Sequence, residues 1–212
     1  MDLLTPISGP GFRLDDRQGV SVLRLHSEDG TNRLTRDCVL ALRNMVGQLA
    51  RESKPFVVAG NDRFFSAGAD LEEISALDAP GAYEFSKMGQ ALMSAIHHFP
   101  APVYAAISGY CMGGGLDLAL ACRYRIASPH AVFGHRGAAL GLITGWGGTQ
   151  RLPRLIGKGR AFEMFIAAEK IMVAHALRMG LVDAIANDPL AEAVRRIRAS
   201  SPSSASSIEY PC

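Results

Sequence analysis

Two short stretches of small residues in this chain are suited to carbonyl chemistry. "YCMGGGLDLAL" (110–120) sets Gly113, Gly114 and Gly115 where an apolar strand pattern gives way to a helical one, with Asp117 just beyond. "SAGAD" (66–70) is a similar bend that leads into another helix and exposes the amides of Gly68 and Ala69. Amides in the first turn of a helix have no intrahelical acceptor and carry the positive end of the dipole, and glycine lets a ligand come close to them. Two N–H donors from separate loops, converging on one carbonyl oxygen, stabilise an enolate or a tetrahedral intermediate. The plainer reading is that both bends are tight packing turns, since glycine-rich helix starts are common.

Spacing excludes three other glycine-loop chemistries. Leu118 stands where the third glycine of G-x-G-x-x-G belongs, Gly159 follows Gly157-Lys158 where a phosphate loop needs Ser or Thr, and Phe64 replaces the first glycine of a serine-hydrolase elbow at Ser66. Asp117 follows Gly114 by one helical turn, near the same face, and can serve there as general acid or base. The helix dipole and nearby arginines favour its ionised form, and as a first-turn carboxylate it also has a purely structural reading as a complement to that dipole. His135 and Arg136 could address a substrate carboxylate or move the proton instead, against a plainer reading as a strand-end histidine and a solvated arginine. Trp146 in "GWGG" could line an acyl pocket or simply pack. His97 and His98 end a helix and carry no chemistry in this reading, while the methionines and Cys111 read as core filling.

The elements that must hold these residues alternate strand and helix, an α/β order. "GVSVLRLH" (19–26) alternates as a half-buried strand, and 35–53 repeats apolar residues at helical spacing behind a Thr cap. A strand follows at 55–61, then a loop at 63–70, a short helix at 71–77 and a longer one at 80–99 with proline near its first turn. "APVYAAIS" (101–108) is apolar enough for a strand buried on both faces. A helix to about 121, strands at 124–128 and 131–135, helices at 146–156, 159–168 and 173–179, a last strand at 181–186 and a helix at 189–200 complete the pattern. Residues 201–212 are Ser/Pro-rich and read as a disordered tail.

At 212 residues and 48% hydrophobic, the chain can bury one substantial core without disulfides or metal. A formal charge of +2, with no basic run interleaved with aromatics, argues against a nucleic-acid partner. Cys38, Cys111, Cys122 and Cys212 show neither zinc spacing nor a secreted disulfide framework, which fits a reducing cytoplasm. No apolar run reaches the roughly 18 residues of a membrane span, and the amino terminus lacks a signal-peptide pattern, so no membrane partner is expected.

"FFSAGADLEEI", "ISGYCMGGGLDLALACRYRIAS", "AVFG", "GLITGWGGTQRLPRLIGKGRA" and "RMGLVD", in this order over roughly residues 14–190, resemble the enoyl-CoA hydratase/isomerase (crotonase) family. The resemblance implies a crotonase-like (ClpP/crotonase) spiral of ββα turns, one domain over 1–200, and acyl-CoA thioester substrates. It places the oxyanion-hole amides at Ala69 and Gly114 and the acid/base carboxylate at Asp117. Ala67, Gly68, Asp70, Gly113, Gly137, Leu140 and Trp146 are expected to contact substrate. No metal and no separate cofactor are expected, because CoA is part of the substrate, and the assembly implied is a homotrimer or hexamer.

Two departures qualify the resemblance. Family hydratases hold a water between two glutamates, and here those positions are Asp117 and Gly137. Between Asp117 and Glu163 there is no Asp or Glu, while Arg123, Arg125, Arg136, Arg151, Arg154, Lys158 and Arg160 fall in that stretch. The loop "GLITGWGG", where some family isomerases and dehalogenases carry Asp, has no carboxylate either. The resemblance also implies a C-terminal helical region that completes the trimer, and that region is expected to be shortened here. Three functions stay open: a hydratase/isomerase-type enzyme using one carboxylate, a decarboxylase-like or anion-assisted member in which Gly137 leaves room for a carboxylate or bicarbonate, and a non-catalytic acyl-CoA-binding protein.

Overall fold

The computed structural model describes residues 7–200, so the Ser/Pro-rich tail expected to be disordered lies outside the described residues. The chain opens with β1 (Ile7–Gly9) and β2 (Phe12–Arg17), which pairs antiparallel with β3 (Val20–Leu25). From β3 onward a repeating step takes over. One strand is laid in a seven-stranded sheet, the next in a smaller sheet, and a helix returns the chain. The first turn is β3, β4 (Arg33–Leu34) and α1 (Arg36–Leu49). The second is β5 (Phe56–Ala59), β6 (Phe64–Ser66), β7 (Gly68–Ala69), α2 (Leu71–Ser75) and α3 (Ala79–His97). The third is β8 (Val103–Ile107), β9 (Tyr110–Met112) and α4 (Gly114–Ala121). The fourth is β10 (Tyr124–Ala127), β11 (Val132–Gly134), a 3-10 turn (Gly137–Leu140), α5 (Gly148–Ile156) and α6 (Lys158–Ala167). β12 (Ile171–Met172), α7 (Val173–Arg178), β13 (Ala184–Ile185) and α8 (Pro189–Ser200) complete the spiral of ββα turns.

The large sheet runs β1-β2-β3-β5-β8-β10-β13, with β3 through β13 parallel. Its central strands β5 and β8 are buried along their whole length. Parallel strands need cover on both faces, and the pattern of burial shows two separate clusters supplying it. Leu23, Val58, Val103 and Ile107 pack with residues of α1, α3 and α4, while Val22, Val57, Tyr104 and Ile126 pack with Leu190, Val194 and Ile197 of α8. The smaller sheet, in the order β12-β11-β9-β6, carries the ends of the strands that lead into the site.

Local chemistry sets the boundaries. Thr35 caps α1 by accepting from the Cys38 amide at 3.2 Å, and Asp78 caps α3 through the Gly81 amide at 2.8 Å. The β2–β3 hairpin turns at Gln18 and Gly19, both with positive φ (59° and 79°), the twist that two-residue hairpins favour. The expected loop at 63–70 instead contains β6 and β7, because its backbone is taken up by β9 and β4. The expected strand at 181–186 shortens to Ala184–Ile185, since the Leu181 and Val182 amides bond the Ala176 carbonyl at 2.8 and 3.4 Å and close α7.

Candidate active site

The two small-residue bends meet. Gly68 has φ +102°, a conformation only glycine holds without strain, and its amide donates to Ser66 Oγ at 3.0 Å. A Cβ placed on Gly68 would lie 2.8 Å from the Met112 carbonyl oxygen and 3.0 Å from the Gly114 nitrogen, so no side chain fits between the bends. The Asp70 amide donates to the Leu34 carbonyl at 3.4 Å, and strand alternation therefore turns the Ala69 N–H away from β4. On that side lies Gly114, the first residue of α4, whose amide has no intrahelical acceptor. The Ala69 nitrogen is 3.2 Å from the point where a Gly114 side chain would begin.

A cavity of about 550 Å³ opens at this junction. Its wall includes Ala67, Gly68, Ala69, Gly113, Gly114, Asp117, Gly137, Leu140 and Trp146, the expected site residues apart from Asp70. Asp70 is not part of that wall. Its carboxylate caps α2, accepting from the Glu72 and Glu73 amides at 2.9 and 3.2 Å, and stands 3.3 Å from Arg33 Nη1. The Trp146 indole covers Gly114, donates from Nε1 to the Phe85 carbonyl at 3.3 Å, and packs against the Phe85 ring, tilted by 37° with centroids 5.3 Å apart. Leu71, Ile74, Leu77, Leu140, Leu142 and Ile143 give the cavity an apolar flank, while Arg136 and Lys170 bring positive charge to it.

Asp117 lies at the inner end, 1% exposed. The Thr144 hydroxyl donates to Oδ2. Oδ1 faces His135 Nε2 at 3.1 Å, off the line of a hydrogen bond, so neither atom has a hydrogen-bond partner. His135 follows β11, is 4% exposed, and packs its ring 5.2 Å from that of Phe165. Gly148 closes over the pair: a Cβ there would collide with Asp117 Oδ1 and stand 3.1 Å from His135 Nε2. The preceding Gly147 has the guanidinium of Arg151 against it, so a single peptide step separates that cation from the carboxylate. Burial lowers the pKa of Arg151, and the Asp117 charge opposes that shift.

Gly137 borders the cavity through its backbone, but the direction a side chain would take is filled by the Leu142 carbonyl oxygen, 2.7 Å from an added Cβ. The loop is closed there by the Leu142 amide, which donates to the Gly137 carbonyl at 2.8 Å. A side chain at position 137 would therefore run into main chain, while the Gly137 backbone itself still borders the cavity. Thr144 and Lys170 were not singled out from sequence. Thr144 meets Asp117 across 27 positions, and Lys170 stands outside the glycine-rich segments. Cys111 is fully buried and its thiol is pushed well above the usual range by burial, in keeping with core filling.

A fold that lays ββα turns around two small-residue bends in close contact, with a buried carboxylate lining the cavity beside them, defines a class, and comparison with known proteins identifies it. A family model described as enoyl-CoA hydratase/isomerase matches residues 15–206. The chain is 35% identical over 175 residues to a crotonyl-CoA hydratase of Syntrophomonas wolfei, covering 81% of this chain and 67% of that protein. It is 38% identical over 185 residues to a probable enoyl-CoA hydratase of Bacillus subtilis, covering 86% and 71%. The crystal structure of an enoyl-CoA hydratase from Bacillus anthracis aligns with a TM-score of 0.84 at 32% identity, covering 89% of this chain and 76% of that one. The protein belongs to the enoyl-CoA hydratase/isomerase family and has its crotonase fold.

Proposed function

We propose that this protein is an acyl-CoA-processing enzyme that stabilises a thioester enolate between the amides of Ala69 and Gly114 and moves the α-proton with Asp117. The observation that carries this reading is the convergence of the two bends over a cavity whose inner end holds a buried carboxylate. A thioester oxygen seated between the amides leaves the α-carbon facing inward. As Asp117 takes a proton from that carbon, the C–H electrons delocalise onto the oxygen, where the two N–H groups and the start of α4 meet the developing charge. The Thr144 hydroxyl holds one carboxylate oxygen, which leaves Oδ1 for the proton. The relatives named as hydratases support a 2-enoyl thioester as substrate, and the apolar flank of the cavity suits a hydrocarbon acyl group.

The test is exchange of the α-protons of butyryl-CoA in D2O, followed by mass, for the wild type and Asp117→Asn. The wild type is expected to exchange, and the variant to lose about 10²-fold or more, the usual contribution of a positioned acid/base group. Equal exchange by both proteins removes Asp117 from the mechanism. Tight binding of butyryl-CoA by the wild type with neither exchange nor crotonyl-CoA turnover makes the protein a binder rather than an enzyme.

A further inference from the structure

Family hydratases hold the reacting water between two proton-handling groups, so that one can take a proton from water while the other gives a proton to the α-carbon. The position where family hydratases carry their second glutamate is Gly137, where the Leu142 carbonyl blocks any side chain. A second titratable group nevertheless stands beside Asp117. His135 lines the same cavity, is 4% exposed, and presents Nε2 to Asp117 Oδ1 at 3.1 Å without a hydrogen-bond partner for either atom. A buried imidazole nitrogen without a partner is costly unless it has a use, because native cores satisfy nearly all such groups.

From this geometry we infer that His135 is the second catalytic group, forming an acid–base pair with Asp117 in place of a second carboxylate. The inference rests on the acyl-CoA reading above. In the direction of hydration, with one proton held on the Asp117 side of the pair, the neutral His135 imidazole takes a proton from water as the water oxygen bonds the β-carbon of the enoyl thioester. The electrons of the C=C bond pass through the α-carbon to the carbonyl oxygen, which becomes the enolate oxygen between Ala69 and Gly114. The α-carbon then takes a proton from the Asp117 carboxylic acid and the enolate returns to the thioester. The pair is left as an imidazolium and a carboxylate 3.1 Å apart, and return of the proton from Nε2 to Oδ1, once the ring turns onto the line between them, restores imidazole and carboxylic acid. One water is added, and the protein ends as it began.

The other charges near the pair are Arg151, behind the Gly147–Gly148 step, and Arg136 and Lys170 on the cavity wall.

The experiment measures kcat for crotonyl-CoA hydration and α-proton exchange of butyryl-CoA in D2O for the wild type, His135→Gln and His135→Asn, alongside calorimetric binding of butyryl-CoA. Both variants should bind butyryl-CoA within about threefold of the wild type and lose hydration by about 10²-fold or more, well beyond any loss of α-exchange. Hydration by either variant at the wild-type rate overturns the inference, as does a wild type that binds and exchanges butyryl-CoA but never hydrates crotonyl-CoA. A wild type that binds no CoA thioester is a different result, and it defeats the acyl-CoA reading itself.

Discussion

Replacing Gly114 by alanine adds one methyl group at the most crowded point of the site. Its Cβ would lie 2.6 and 2.8 Å from two ring carbons of Trp146, about 1 Å inside ordinary carbon–carbon contact near ~3.5–4.0 Å. The indole has no retreat. Its other side is set against Gly89 of α3, where even a hypothetical methyl would strike the ring, and Nε1 is tied to the Phe85 carbonyl at 3.3 Å. The start of α4 must therefore move, and the Gly114 amide moves with it, away from the Ala69 nitrogen that lies 3.2 Å from the new carbon. Overpacking of this kind costs about 1–3 kcal/mol of stability. Loss of one of two oxyanion donors costs about 10²–10³ in kcat, or about 2.7–4 kcal/mol of transition-state stabilisation. The assay is steady-state crotonyl-CoA hydration with butyryl-CoA α-exchange as a second readout, each at a temperature well below the unfolding midpoint of the variant. Folded Gly114→Ala protein with kcat within about threefold of wild type would refute the assignment of this amide to the reacting oxygen.

Two further outcomes are expected. Gly137→Glu, which supplies the second glutamate of the family pattern, is expected to lower stability by about 1–3 kcal/mol in urea unfolding and to leave hydration no faster, because its Cβ would sit 2.7 Å from the Leu142 carbonyl oxygen; a faster, equally stable variant would contradict the blocked geometry. Cys38 and Cys122 have their thiols pushed up to about 12 by burial, so Ellman's reagent at pH 8 should label neither in the native protein and both in urea; rapid native labelling of either would show that the core around it opens.

The sequence made the frame of the site legible where local chemistry decides structure. Thr35, the fully apolar 101–108 run and the glycine triplet each carry their own signal of cap, buried strand and helix start. β2 escaped notice because "FRLDDR" shows no clean alternation; its Asp15 is held by Arg24 of β3 at 3.1 Å, a contact that exists only once the hairpin forms. β6 and β7 are three and two residues long, too short for periodicity to register. The resemblance led to the cavity residues and to the gap at Gly137, yet it could not say what fills that gap. The Leu142 carbonyl and the Thr144 hydroxyl enter the site by loop geometry, which neighbouring residues in sequence do not reveal.

The Gly147–Gly148 step has an effect beyond shaping the cavity. A partition built only of main chain offers no bulky side chain to insulate one side from the other, so Arg151 and Asp117 share an electrostatic environment although they face different spaces. An anion settling on that guanidinium from outside would therefore act on the field at the buried carboxylate through a wall one peptide thick, without touching any atom that lines the cavity.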